Sequence, residues 1–269
     1  MRSHGWGVLE LSRTDRAKQQ GEVLPYSLEH GISSDMLRDV DVLIHCAYDF
    51  QPVAPRDIWR INVEGSARLF AAARQAEVKR IVCISSISAY SGCRSLYGKA
   101  KLAIEDHALK AGGIVVRPGL VYGKEAGGML GSLSRMMASA KVVPLIGGGS
   151  WMMYLAFEED LCDLICQLSN LDIDANHKKW VITAASSLGK PFRELLYDLG
   201  RAHANNPVFL RVPWRIVWTG LRFLETVGVQ LGFRSDSVLS LVYPNPRPSF
   251  THLQEVGMIF RDFSPALLK

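Results

Sequence analysis

The chain has 269 residues, 48% of them hydrophobic and 21% charged, enough apolar material for one large or two small packed units. Its net charge of +5 comes from Lys and Arg scattered singly or in pairs, which argues against a nucleic-acid footprint and leaves mild attraction for anionic ligands. No apolar run reaches the roughly 18–20 uncharged residues of a membrane span, and the first fifteen residues lack the apolar core of a secretory leader.

In chain order, 6–11, 41–47, 79–86 and 112–118 are short runs rich in Val and Ile that predict buried strands. Between them, 61–78 places Val63, Ala67, Phe70 and Ala71 at helical spacing, and 97–113 does the same with Leu102, Ile104 and Leu109 before a Gly pair. After residue 124 the spacing predicts a Met-rich helix, an apolar strand and a turn at Gly147–Gly149. A helix over 156–171 and a late strand over 178–185 follow. The remainder reads as mostly helical, and its largest piece, 212–229, is expected to turn an apolar stripe to the core. A surface-lying helix with Trp214 and Trp218 on the membrane side is the alternative.

Strands alternating with helices predict right-handed crossovers and a doubly wound parallel sheet, an α/β fold of Rossmann-like type. The expected domains are 1–145, which would bind a dinucleotide, and a smaller, mostly helical 146–269, with 178–185 returning to the sheet. Ligands of such sheets bind beyond the carboxyl ends of the strands. Ala47, Tyr48, Ser85, Ser86 and Pro118 fall at those ends. The odd cysteine count (Cys46, Cys83, Cys93, Cys162 and Cys166) fits buried free thiols in a reducing cytoplasm, and no further ligands suggest a metal site.

Tyr97 and Lys101 are four apart, hence one turn apart on one helix face. A free tyrosine is a poor base at neutral pH, but a neighbouring ammonium favours its phenolate. Such a phenol can exchange a proton with a substrate hydroxyl while a hydride moves, and a strand-end Ser such as Ser86 would orient the oxygen. By itself the pair also fits an ordinary surface helix.

Four segments in order, DVLIHCA (41–47), INVEGSARLFAAA (61–73), VKRIVCISSISAY (78–90) with YGKAK (97–101), and VVRPGLVYG (115–123), resemble the extended short-chain dehydrogenase/reductase family, the NAD-dependent epimerases and dehydratases. Farther on, 144–165 resembles the family's Gly turn, strand and helix, and 252–263 its closing Gly and aromatic-rich strand. The resemblance implies that Tyr97 is the general acid/base and that Lys101 lowers its pKa and bonds the nicotinamide ribose. It makes Ser86 the catalytic hydroxyl, with Ser85 and Ser88 as rivals. Ala47 and Tyr48 would lie against the cofactor, Asn62 behind the nicotinamide site, and Pro118 and Gly119 along the carboxamide. A helix N-cap is the other reading of Asn62.

The family's opening strand and Gly-x-x-Gly-x-x-Gly turn are not found in this sequence, which starts as if inside the first crossover. A fragment or late start is favoured over natural loss, and 146–150 reads as a flexible turn rather than a phosphate loop. Arg13, just past the second strand of the family pattern, favours NADP over NAD, with nearby Asp15 pulling the other way.

The implied activity is that of a cytoplasmic NAD(P)-dependent oxidoreductase on a nucleotide sugar, an epimerase or keto-sugar reductase. Arg211, Arg215 and Arg247 are candidates to meet the diphosphate. Ile87 and Ser88 stand where dehydratases of the family carry Asp-Glu, which argues against dehydration. A hydroxysteroid-type reductase and a non-catalytic scaffold or assembly subunit are the alternatives. Relatives suggest a homodimer.

Overall fold

Val, Ile and Leu fill four short runs that pair into one sheet, because β-branched side chains suit a pleated surface buried on both faces. The computed structural model describes residues 5–13, 22–124, 127–171, 179–229 and 233–268. In chain order the elements are β1 (Leu9–Ser12), β2 (Glu22–Pro25), β3 (Val42–His45), α1 (Pro55–Ile58), α2 (Gly65–Gln75), β4 (Arg80–Ile84), α3 (Leu96–Lys110), β5 (Ile114–Pro118), β6 (Leu120–Tyr122) and α4 (Gly128–Ser139). They continue with β7 (Val142–Ile146), β8 (Met152–Met153), β9 (Leu155–Phe157), α5 (Glu158–Asn170), β10 (Val181–Ala184), β11 (Lys190–Pro191) and α6 (Phe192–Ala202). The last are β12 (Val208–Val212), α7 (Trp214–Thr226), α8 (Ser235–Val242) and α9 (Thr251–Glu255).

The chain divides into two compact units. The first is Met1–Ser85, Ala100–Val116 and Cys162–Val181, and the second is Ser86–Lys99, Arg117–Leu161 and Ile182–Lys269. Helix α3 and strands β5 and β10 therefore run from one unit into the other along the chain.

The main sheet has the order β10-β5-β4-β3. β3 pairs in parallel with β4, and β4 with β5. β1 and β2 form a separate parallel pair. In the first unit Val82, Cys83, Val115 and Val116 of the sheet are buried, as are Phe70 and Ala73 of α2, Ile104 and Ala108 of α3, and Leu164 and Leu168 of α5. The helix expected over 61–78 begins instead as a π-helical turn, Trp59–Glu64, before α2. Gly65 opens α2 because a Cβ there would stand 2.4 Å from the Leu28 carbonyl oxygen, a contact no other residue tolerates.

The second unit packs three small sheets on helices: β6 beside β9 and β7 beside β12 in parallel, and β8 against β11 antiparallel. Phe192, Leu195, Leu196 and Leu199 of α6 recur at one-turn spacing and are all buried, the signature of one apolar face. They share a core with Tyr122, Leu130, Met137, Leu145 and Leu155. The Gly cluster at 146–150 is a tight turn after β7. Gly147 and Gly149 have φ of +61° and +65°, and the Arg193 guanidinium donates to the Gly148 carbonyl.

One alternative and one expectation are corrected here: the membrane-facing Trp214 and Trp218, and the closing strand. Helix α7 buries none of its residues fully. Trp214, Val217, Trp218 and Leu221 pack against the unit's core, but Ile216, Phe223 and Val227 face outward. Trp214, Val217, Trp218 and Leu221 stand at i, i+3, i+4 and i+7, so the expected stripe does face the core, and the alternative that turned Trp214 and Trp218 to a membrane is overturned. Nor does 256–263 form a strand after α9. It is held by anchors other than a ladder: Asp160 accepts from the Arg261 backbone and side-chain nitrogens at 2.7 Å each, and the Tyr122 hydroxyl donates to the Asp262 carbonyl at 3.1 Å.

The cysteines divide too. Cys83, Cys93 and Cys166 are buried, whereas Cys46 and Cys162 are exposed, and all five are free thiols. Among the described residues no cluster of His, Cys, Asp or Glu could hold a metal, and no helix is long and apolar enough to cross a membrane.

Candidate active site

The stretch Ser95–Lys101 starts α3, and its geometry follows from the amides that a helix start leaves without intrahelical partners. The Ser95 hydroxyl accepts from the Gly98 N–H at 3.1 Å, as an N-cap does. The Asp236 carboxylate, on the first turn of α8, accepts from the N–H groups of Leu96 at 2.7 Å and Tyr97 at 2.9 Å. Its negative charge also lies at the positive end of the helix dipole. Gly98 is required because a Cβ there would stand 2.5 Å from the Ser88 carbonyl oxygen. The start of α3 is thereby pressed against the 86–89 turn.

Within the second unit this brings Tyr97 to Ser86, whose hydroxyl hydrogen-bonds the phenol. Burial pushes the Tyr97 phenol above its ordinary pKa, and the bond to Ser86 opposes that shift. Ile87 N–H donates to the Pro118 carbonyl at 2.9 Å, so Pro118 and Gly119 flank the same turn. Gly119 packs so tightly that a Cβ would stand 2.2 Å from the Tyr154 carbonyl oxygen. A cleft of about 50 Å³ is lined by Ile87, Ser88, Leu120, Met152, Met153, Tyr154, Ser240, Pro244 and Asn245.

The first unit holds the other expected residues. Lys101 follows Tyr97 by one turn of α3, and its ammonium donates to the Ile84 carbonyl at 2.9 Å, at the carboxyl end of β4. Burial lowers its pKa, opposed by the neighbouring Cys83, Cys46 and Glu105. Its nitrogen sits 5.2 Å from the centre of the Tyr48 ring. Ala47 and Tyr48 lie in the loop after β3. Asn62 is fully buried and bonds Asp49 in that loop at both ends: Asp49 N–H donates to its Oδ1 at 2.6 Å, and its Nδ2 donates to the Asp49 carbonyl at 3.0 Å. The N-cap reading of Asn62 therefore does not hold. Its amide is turned on a loop backbone, and it sits inside the π-helical turn. Arg13, at the end of β1, pairs with Asp49 at 3.0 Å, while Asp15 lies outside the described residues.

The rival serines separate by their partners. Ser85 donates to buried Glu105 at 2.5 Å, Ser86 bonds Tyr97, and Ser88 lines the cleft. Of the arginines expected to meet a diphosphate, Arg215 lies over the Trp214 ring, and Arg211 and Arg247 are exposed.

The family model for the NAD dependent epimerase/dehydratase family matches residues 30–182, more than half of the chain. The chain belongs to that family. No curated protein matches this member. Among solved structures it is similar to MoeE5 in complex with UDP-glucuronic acid and NAD, at 18% identity and a TM-score of 0.74, covering 99% of this chain and 90% of that one. It is also similar to a UDP-glucose 4-epimerase from Thermotoga maritima, at 18% identity and a TM-score of 0.64 over 79% of this chain and 80% of that one. A third is TunA, an NAD-dependent NDP-hexosamine 5,6-dehydratase of tunicamycin biosynthesis, at 17% identity and a TM-score of 0.64 over 90% and 91%. At these identities the likeness is one of fold.

Sequence spacing gave no sign of Asp236, which stands 139 residues from Tyr97. Its one legible trait was a position at the start of a helix. In this epimerase-family chain Asp236→Ala strips two amides of their acceptor and is expected to destabilise the protein by about 1–2 kcal/mol. Asp236→Asn, which keeps an acceptor oxygen, should recover part of that loss. Urea unfolding of the two variants checks the order, and equal stability of Asp236→Ala and the parent would count against the clamp.

Proposed function

We propose that the chain is an NAD(P)-dependent oxidoreductase acting on a nucleotide sugar, as an epimerase or keto-sugar reductase. Tyr97 exchanges the proton with the substrate hydroxyl, and Ser86 orients the same oxygen. Lys101 places a positive charge one turn further along α3. The observation that carries this reading is the Ser86–Tyr97 hydrogen bond at the doubly capped start of α3. The UDP-sugars and NAD named for MoeE5 support the substrate and cofactor classes.

The residues present fit a dinucleotide in one respect. Lys101 and Tyr48 stand at the carboxyl ends of β4 and β3, where ligands of open α/β sheets bind, and Asn62 presets the loop between β3 and α1. When bound, the nicotinamide would give or accept the hydride. Arg13 supports NADP, while its ion pair with Asp49 leaves NAD as the competitor. The free cysteines support a cytoplasmic setting.

Titration of the chain with NADH and NADPH, followed by fluorescence, tests the proposal. Saturable binding of one or both is expected, and absence of binding by either at millimolar concentration would sink the catalytic reading. A hydroxysteroid-type reductase is the second reading. It is favoured by the cleft, whose lining includes Ile87, Leu120, Met152, Met153 and Pro244 and no charged side chain. That cleft is far below the roughly 300–1,000 Å³ of a whole small-molecule site and would take a single moiety. Turnover of UDP-glucose against a hydroxysteroid separates the two readings.

A further inference from the structure

The outward face of α7 has no use in the chemistry above. Ile216, Phe223 and Val227 are 64%, 65% and 57% exposed. At about 100° per residue they fall within roughly 20° of one line along the helix. The core-packed Trp214, Val217, Trp218 and Leu221 occupy the other side. Val229, just beyond the helix, is exposed as well, as are Val208 and Leu210 on β12 immediately before it.

The charge carried by α7 is net positive. On α7 itself the charged residues are Arg215, Arg222 and Glu225, two bases against one acid. That acid is turned inward. Its oxygens accept from the Ser235 N–H at 2.8 Å and the Ser235 hydroxyl at 2.7 Å; one of them also pairs with Arg222 at 3.6 Å, and the Glu225 side chain is 11% exposed against 48% for Arg222. Arg215 and Arg222 are seven apart and lie roughly 100–120° round from the apolar line. From there a long side chain lays its stem along apolar surface and lifts its charge to the level of a phosphate.

We propose that α7 docks the protein on an anionic phospholipid surface, with Ile216, Phe223 and Val227 at the boundary of headgroups and acyl chains and Arg215 and Arg222 on lipid phosphates. A second copy of the chain is the less suitable occupant, because two such faces would oppose arginine to arginine, their one acid being held on Ser235 and Arg222 of its own chain. Three short insertions and a few charges make the attachment reversible.

Sedimentation of the full chain with phosphatidylcholine vesicles, with and without phosphatidylglycerol, tests this. Binding is expected only to the vesicles that contain phosphatidylglycerol, and it should weaken as salt is raised. Joint replacement Ile216→Ser and Phe223→Ser should reduce it by about ten-fold or more. Arg215→Gln and Arg222→Gln should each reduce it about five-fold. These side chains are exposed, so melting temperatures should stay near that of the parent, and the salt series on the parent needs no variant at all. Equal binding to both vesicle types, or none to either, overturns the proposal. So does light scattering that shows a dimer lost in Phe223→Ser with no vesicle binding by the parent.

Discussion

Replacing Tyr97 by Phe is expected to cut turnover by about 10²–10⁴-fold, the contribution of a positioned acid/base, equivalent to roughly 3–5 kcal/mol of transition-state stabilisation. The substitution removes one oxygen and keeps the ring. The anchors of α3 at this point, Asp236 on the Leu96 and Tyr97 amides and Ser95 on the Gly98 amide, involve only backbone on the helix side. The variant should therefore fold and bind cofactor as the parent does, with the loss confined to the chemical step. Ser86→Ala should cost less, since the phenol survives there. Single-turnover measurement with the cofactor and sugar nucleotide that the parent accepts provides the check. Undiminished turnover by Tyr97→Phe would remove this residue from the mechanism.

The second large effect concerns stability in acid. His45 ends β3, fully buried, with its ring edge-on to Phe70 at 5.1 Å. Its Nε2 lies 2.8 Å from the Ser66 hydroxyl, which itself donates to the Asn62 carbonyl at 2.6 Å. With its one hydrogen used, Ser66 can only accept, so His45 is the neutral Nε2–H tautomer. Burial, and secondarily the charge of Lys101, lowers its pKa from 6.5 to about 3. Between these two values the unfolded chain binds a proton that the folded protein does not. Stability from this group is therefore complete above pH 6.5 and is lost as pH falls towards 3, with a slope approaching about 1.4 kcal/mol per pH unit. Urea unfolding at stepped pH should show that decline. His45→Gln, which can keep a donor for Ser66 but does not titrate, should flatten it. An unchanged slope in the variant would assign the acid sensitivity to other groups.

The parts of the fold that were legible in the sequence are those whose signal is local. β3, β4 and β5 appear within two or three residues of their expected limits because a buried parallel strand is an unbroken apolar run between turns. Helix α3 was legible from its spacing and its Gly stop, and the late strand took its place beside β5. Where apolar residues served two masters, legibility failed. The stripe of helix α7 that faces the core was legible while its outward Ile216, Phe223 and Val227 were not, and MIF at 258–260 looks like a strand although hydrogen bonds from distant groups, Asp160 and Tyr122, hold the residues that follow it.

The candidate site divides along the same line. Spacing put Tyr97 and Lys101 on one helix face and serines at a strand end, and the resemblance to the family, carried by motifs local in the chain, gave these residues their expected roles. Which serine faces the phenol was decided only in three dimensions, where Ser85 turns to Glu105 and Ser86 to Tyr97. The same holds for Asn62, whose amide is spent on the Asp49 backbone, and for Asp236, which reaches across 139 residues of sequence to the amides that start α3. A hydrogen bond depends on the distance and angle between two groups. Only the folded chain sets these for residues so far apart in sequence.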